Sequence, residues 1–363
     1  MIVSKRDRDV SLDVIRALAV VSVLAVHFFL NCQFYDTVWT GKAMAPALVL
    51  RTQLMVCVPL FLLLSGYLQK EKQWSWGYYK GLLKLLLTYV LASVVCCVFR
   101  AVCDGGPWAV KEWLRGMLSF SAAPYGWYIE LYMGLFCMIP FLNLLWNALP
   151  SRRVKWVLLL TLCFFTMCPS LNVISVHFGW QTVPNRWAPL YPVTYYFIGC
   201  FLQESRFHRH WQWFMPLNIL SALCGGLLHA YQARGEVVGY MLLTHWNGVF
   251  PFVCAVSIFI ILQGSRRLER IPGPVRKGIT QVSQLSLPIF LLSWVPDQLV
   301  YTRLCQAIPD FAHRLPWIVV TVPVVLVLSV FLAKLVLWVQ RGIEALCAWV
   351  LGRLRTRFCS HSL

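Results

Sequence analysis

Charge is what this sequence has least of. Asp, Glu, Lys and Arg together make up 13% of its 363 residues, about half the share found in an ordinary soluble domain. Acids are the scarcer sign, 14 Asp and Glu against 32 Lys and Arg. A chain that is 59% hydrophobic, with a mean hydropathy of +0.66, cannot hide that surface in one water-facing core, which excludes a soluble globular fold. The 14 cysteines form no CxxC pair, and most sit inside apolar runs, as Cys57, Cys96, Cys137, Cys200 and Cys254 do. Small buried thiols are therefore expected, with no metal site and no disulfide framework. The GxSxG elbow, the phosphate-binding glycine loop and the HExxH helix are all missing, so the signatures of soluble hydrolases, nucleotide-binding proteins and zinc peptidases give no support. There is no repeat and no low-complexity tract.

What the chain does have is a series of apolar runs. They predict an all-α polytopic membrane protein with about ten transmembrane helices, at 12–30, 53–69, 82–101, 126–145, 154–170, 188–203, 213–230, 248–263, 283–303 and 315–338. The first run lacks a small-residue cleavage pattern and reads as a retained helix rather than a leader. With the N-terminus inside, the cytoplasmic segments carry 21 basic residues and the opposite side 9, the bias required when both termini are cytoplasmic. The formal charge of +18 thus reports topology and contact with anionic membrane lipids rather than nucleic acid. Residues 1–338 form the transmembrane domain, and 339–363 a basic amphipathic cytoplasmic tail. Within that tail Ile343, Leu346, Val350 and Leu354 recur at helical spacing, as in an interfacial helix. The loops between spans are too short for a second globular domain, and no oligomer interface stands out from lipid-facing surface.

Several polar residues sit where lipid makes them costly. Arg16 and His27 lie eleven residues apart in LDVIRALAVVSVLAVHFFL, about 16 Å along a helix and about 20° apart in azimuth. Both are expected to face one interior passage, Arg16 near the cytoplasmic end and His27 deeper. Glu130, in PYGWYIELYMGLF, is an acid inside the fourth run, suited to orienting an imidazole or accepting a substrate hydroxyl. Ser65, Gly66 and Tyr67 end the second run with small residues that let helices approach closely. Lys80 and Lys84 share one face at the start of the third helix, as phosphate holders or as ordinary positive-inside residues. The loop 171–191 places His177, Trp180 and Arg186 among rings that suit either a sugar face or an interfacial belt, and the same two readings hold for Trp294 with Asp297.

The texts LDVIRALAVVSVLAVHFF, VPLFLLLSGYL and GWYIELYMGLFCMIPFLN, with lysines leading the third helix, resemble the membrane-bound acyltransferase family 3 over about residues 10 to 335. That family includes bacterial O-acetyltransferases of surface polysaccharides and peptidoglycan. The resemblance implies a protein of the bacterial cytoplasmic membrane that moves an acyl group, usually acetyl, from acyl-CoA as co-substrate, with no tightly bound cofactor. The acceptor would be a hydroxyl of an envelope glycan or lipid-linked saccharide. It implies catalytic roles for Arg16 and His27, donor contacts at Ser65, Gly66, Tyr67, Lys80 and Lys84, and acceptor contacts at Trp127 and Tyr128, to which the polar-residue reading adds Glu130 as a catalytic residue and His177, Trp180 and Arg186 as acceptor contacts. One departure stands out: in SLPIFLLSWVPD, Ser293 occupies the place where the family often has a second histidine, and Pro288 that of a glycine. From the polar residues alone, a transporter or flippase for a lipid-linked sugar or small anion is the alternative.

Overall fold

The computed structural model describes residues 9–38, 41, 44–103, 105, 109–176 and 181–360, with backbone only at 175–176, 266 and 350–360. Its α-helices run in the order α1 (Val10–Asn31), α2 (Met44–Leu54), α3 (Cys57–Gln69), α4 (Trp76–Cys103), α5 (Val110–Leu118), α6 (Trp127–Ala148), α7 (Arg152–Thr166) and α8 (Asn172–Val176). There follow α9 (Tyr191–Glu204), α10 (Trp211–Gln232), α11 (Val249–Gly264), α12 (Gly273–Gln284), α13 (Ser286–Leu292), α14 (Trp294–Ala307), α15 (Phe311–Arg314) and α16 (Ile318–Ser360). No strand occurs among the described residues, only an isolated bridge between Val38 and Val237.

Eight helical stretches are long and apolar enough to cross a membrane, with α2 and α3 joined end to end as one of them. Two more crossings are made by shorter helices. The outer half of α9 is tied by the Tyr195 hydroxyl to the carbonyl of Trp246 (2.7 Å), just before α11. Its last residue, Glu204, meets Lys70 and Lys155 at the opposite face. The pair α13–α14 climbs beside α1 in the same direction: Ser283, just before it, bonds Asp13, Ser293 approaches His27, and Cys305 reaches Asn31. Among the described residues the bundle therefore makes ten crossings, an even number that puts the start of α1 and the end of α16 on one face. The charge bias makes the face where α1 begins the inner one.

The structure moves several expected boundaries. The second span starts at Met44 rather than 53, inside what the sequence suggests is an outer loop. Arg51 is the cause of that difference, since a base normally marks a loop. Here its guanidinium is fully buried, with Nε donating to the Tyr35 hydroxyl at 2.8 Å and Nη1 to the Thr244 carbonyl and hydroxyl, so the helix continues through it. The span expected at 283–303 is a kinked rod, for the reason given below. The last helix runs without a break from Ile318 past the expected span end at 338 and through 340–352 to Ser360.

Small residues set the closest helix crossing, since in lipid it is packing and not apolar burial that joins helices. A Cβ on Gly66 would collide with the carbonyl of Tyr196, and one on Gly199 with the carbonyl of Leu63. Gly66 thus serves the reciprocal contact of α3 with α9. At the inner end of that crossing Glu204 accepts from Lys70, Lys155 and the Trp146 indole, each at 2.9 Å. Partial burial works to raise the Glu204 pKa, but hydrogen bonds from Lys155, Lys70 and Trp146 outweigh it and hold the carboxyl below its ordinary range. A depressed carboxyl pKa stabilises the fold above the unfolded value of about 4.3, and the contribution fades as pH falls through the folded value. Glu204→Gln should therefore lower thermal stability in detergent at pH 7 by about 1 kcal/mol, allowing for screening. The gap to wild type should close below about pH 4; a gap that persisted in acid would assign the loss to shape instead.

Candidate active site

The outer third of α1 carries His27, whose ring lies flat on Tyr125 with centroids 3.7 Å apart and planes 24° apart. Its Nδ1 sits 3.4 Å from Asp297 Oδ2 and 3.4 Å from Ser293 Oγ. Ser293 donates its own hydroxyl proton to the Phe290 carbonyl at 3.0 Å, so toward Nδ1 it presents lone pairs. Both neighbours accept, which places the ring proton on Nδ1 and leaves the Nε2 lone pair unprotonated. Nε2 has no hydrogen-bond partner among the described residues.

Asp297 is completely buried. Oδ2 also accepts from the Tyr125 hydroxyl at 2.7 Å, while Oδ1 has no partner. An incompletely satisfied carboxylate in a bundle interior is costly, and its arrangement toward His27 gives that cost a use. Asn31 completes the cluster: Nδ2 donates to the Tyr125 hydroxyl (3.1 Å) and to the His27 carbonyl (2.8 Å), and Oδ1 accepts from Gln298 Nε2 at 3.3 Å.

Two local devices assemble these groups. Pro288 and Pro296 each lack the N–H that would bond the residue four before, Gln284 and Leu292. The rod breaks one residue after each freed carbonyl, at Leu285 and Ser293. Across the second break Asp297 N still bonds the Ser293 carbonyl at 2.9 Å, so the two residues sit a turn apart on the side facing His27. Tyr125 arrives by a tight turn before α6, in which Phe120 has φ +54°. Gly126 follows it, where a Cβ would stand 2.6 Å from the Phe120 carbonyl oxygen and 3.1 Å from the Tyr89 ring; only glycine fits.

Below this cluster lies a cavity of about 340 Å³, lined by Arg16 and Val23 of α1, Ser65 and Gln69 of α3, Tyr132 of α6 and Leu287 of α13. Tyr128 and Phe290 also border it and pack edge to face at 5.5 Å. Phe290 then stands 6.1 Å from the His27 ring, so these two rings separate the cavity from the imidazole. Arg16 Nη1 donates to Ser283 Oγ at 3.3 Å, and Asp13 accepts from Ser283 and Thr280, which fixes α12 against the first turns of α1. A second cavity, about 1410 Å³, opens at the inner face, lined by Arg209, Arg267, Arg276 and His208 together with the acids Asp9 and Glu269.

A family model described as an acyltransferase domain matches residues 9–334, spanning α1 to most of α16. The chain belongs to acyltransferase family 3. Comparison with curated proteins and with solved structures found no match.

Within this acyltransferase the residues singled out from the sequence fall into separate places. Arg16, Ser65 and Tyr128 border the passage, and His27 lies just beyond its aromatic end. Tyr67 packs on Phe259 at 5.5 Å, away from it. Trp127 is stacked on Trp246 at 4.8 Å, so one face of its ring is already covered. Glu130 is exposed on the first turn of α6; the carboxylate that meets the imidazole is Asp297. Lys80 and Lys84 are exposed on α4 and line neither cavity. Arg186 is exposed in the outer loop, and His177 and Trp180 lie outside the described residues. Tyr125 and Asn31 were not singled out. An acid in an apolar run was the available signal for Asp297, the same signal that drew attention to Glu130.

Proposed function

We propose that this membrane acyltransferase moves an acyl group, expected to be acetyl, from acyl-CoA at the inner face to a hydroxyl of an envelope glycan or lipid-linked saccharide. One observation carries the reading: an imidazole whose Nδ1 faces a buried carboxylate at 3.4 Å stands just beyond the aromatic end of a cavity that Arg16 lines. In this reading the donor's phosphates meet Arg209, Arg267 and Arg276 in the inner cavity, a chemistry suited to guanidinium forks. The pantetheine arm enters past Arg16 and spans the roughly 16 Å to His27 once the Tyr128 and Phe290 rings that close the cavity move aside. His27 Nε2 takes the proton of the acceptor hydroxyl as its oxygen attacks the thioester carbon. The carbon–sulfur bond breaks, and the CoA thiolate leaves and is protonated.

The direct test is transfer of labelled acetyl from acetyl-CoA by purified protein in sealed vesicles, with donor at the inner face and a glycan acceptor at the other. Label in the acceptor, absent from protein-free vesicles, supports the reading. Movement of a glycan lipid with no consumption of donor would replace it with the transporter alternative.

The passage has its own test. Ser65 borders the void, so Ser65→Trp fills space rather than displacing a neighbour, whereas Ser65→Ala removes only a hydrogen bond to the Phe61 carbonyl. The Trp variant should lose about tenfold or more in kcat/KM for acyl-CoA and the Ala variant less than about threefold. Equal activity in the two would route the donor elsewhere.

A further inference from the structure

We propose that α5 is an in-plane anchor, set at the headgroup boundary of the outer leaflet, whose seat in lipid holds Tyr125 on the His27 ring. Its 9 residues make about 13 Å of helix, too little to cross a membrane. It stands between the end of α4 and the start of α6, which on the topology set by the charge bias is the outer face.

At about 100° per residue, the sequence VKEWLRGML divides into three sides. Trp113, Gly116 and Met117 share the half-buried side, and it faces the bundle. Tyr89 of α4 donates its hydroxyl to the Met117 carbonyl at 3.1 Å, and a Cβ on Gly116 would stand 3.3 Å from the Ala122 Cβ. Val110, Leu114 and Leu118, four apart, form the second side and are 62%, 56% and 85% exposed. Lys111, Glu112 and Arg115 form the third, also exposed. The sides point about 110–150° apart. With the first against the bundle, the second turns into the surrounding lipid and the third toward water, the division a helix needs at a membrane surface. A helix held off the membrane would have water on both exposed sides and three large apolar side chains in it. Val102, 66% exposed at the outer end of α4, brings apolar surface up to the same level. Lys111 and Arg115 border the apolar side, where long basic side chains reach lipid phosphates.

The end of α5 is tied to the turn that delivers Tyr125. The Gly116 carbonyl accepts from the Ser121 and Ala122 amides at 2.8 and 3.0 Å, and the Gly126 amide donates to the Ala123 carbonyl at 2.8 Å. Phe120, inside the turn, packs on Tyr89 at 5.2 Å. A turn closed by its own hydrogen bonds carries the height of α5 to Tyr125, whose ring lies on His27. The seat of α5 in lipid is independent of the reaction; its effect on rate rests on the acyl-transfer reading.

The first measurement uses wild-type, full-length protein in vesicles of phosphatidylcholine and phosphatidylglycerol. The lipids carry a carbene-generating photolabel either high on the acyl chain or at its terminal methyl, and labelled residues are mapped by mass spectrometry. The high label should mark Val110, Leu114 and Leu118 at least about fivefold more than Lys111, Glu112 and Arg115, with little marking from the terminal one. Equal marking of the two sides, no marking of the apolar side, or marking from the terminal methyl alone would overturn the seat in lipid. The coupling is read from Leu118→Glu against Leu118→Ile, at a position so exposed that neither change displaces a neighbour. In the same vesicles, hydrogen exchange at the Ser121, Ala122 and Gly126 amides should be about tenfold faster in the Glu variant than in wild type and unchanged in the Ile variant. Equal exchange in all three would overturn the coupling. Neither measurement needs activity, so each is decided apart from the acyl-transfer reading. Under that reading kcat should fall about tenfold in Leu118→Glu, with KM for the donor unchanged and Leu118→Ile within about twofold of wild type; a Glu variant with faster exchange and full kcat would overturn the role of α5 in holding Tyr125 for catalysis.

Discussion

Asp297→Asn is expected to slow acyl transfer by about 10²–10³-fold while changing KM for donor and acceptor by less than about threefold. The amide keeps the size of the carboxylate, so the kink at Ser293 survives, and the bond from the Tyr125 hydroxyl survives when the amide oxygen takes the place of Oδ2. What changes is the proton. If the amide nitrogen faces His27, two donors oppose each other at Nδ1 unless the ring switches tautomer and puts its proton on Nε2, where the acceptor hydroxyl needs a lone pair. If the amide oxygen faces His27, the tautomer is kept but the negative charge that stabilises a forming imidazolium is gone. Asp297 is sealed from solvent, so neither substrate touches it and binding should be spared. A loss under about tenfold would show that the carboxylate is structural. Glu130→Gln, at the exposed acid on α6, should stay within about twofold of wild type, and the contrast between the two acids is the sharper measurement.

That contrast also marks where sequence reading works and where it stops. Arg16 and His27 belong to one helix, so the 3.6-residue turn alone puts them on one face at a known spacing. Topology was legible for a similar reason, because the cost of charge in lipid is paid residue by residue along the chain. The partner of His27 was not legible in that way. Asp297 is 270 residues away, and its approach depends on α13–α14 rising beside α1 and on two prolines bending that rod. Besides Asp13 in the first turn of α1, the sequence offers two acids within the apolar runs, Glu130 and Asp297, and nothing local ranks them. Even the departure at Ser293 changes meaning once folded. Where the family often has a second histidine, this chain has a hydroxyl facing His27 Nδ1, a second acceptor for the ring proton. Arg51 misled in the opposite direction, since a base at a span's edge signals water, yet here protein oxygens take water's place.

The largest loss is expected at the imidazole itself. His27→Ala should reduce transfer by about 10³–10⁴-fold, the upper range for removing a general base. It also leaves Asp297 buried without the ring that faces it, so some loss of stability should accompany it, and Asp297→Asn in the same chain should restore part of that loss. The double variant is therefore the decisive comparison. If the two residues act as one unit, His27→Ala with Asp297→Asn will be no slower than His27→Ala alone, because the carboxylate acts only through the ring. Added imidazole, entering the space left against Tyr125, should recover part of the activity in His27→Ala and less of it in the double variant, where the orienting carboxylate is gone. Losses that multiply in the double variant would mean that His27 and Asp297 serve separate steps, and the carboxylate would then need a role in binding or in carrying the proton away.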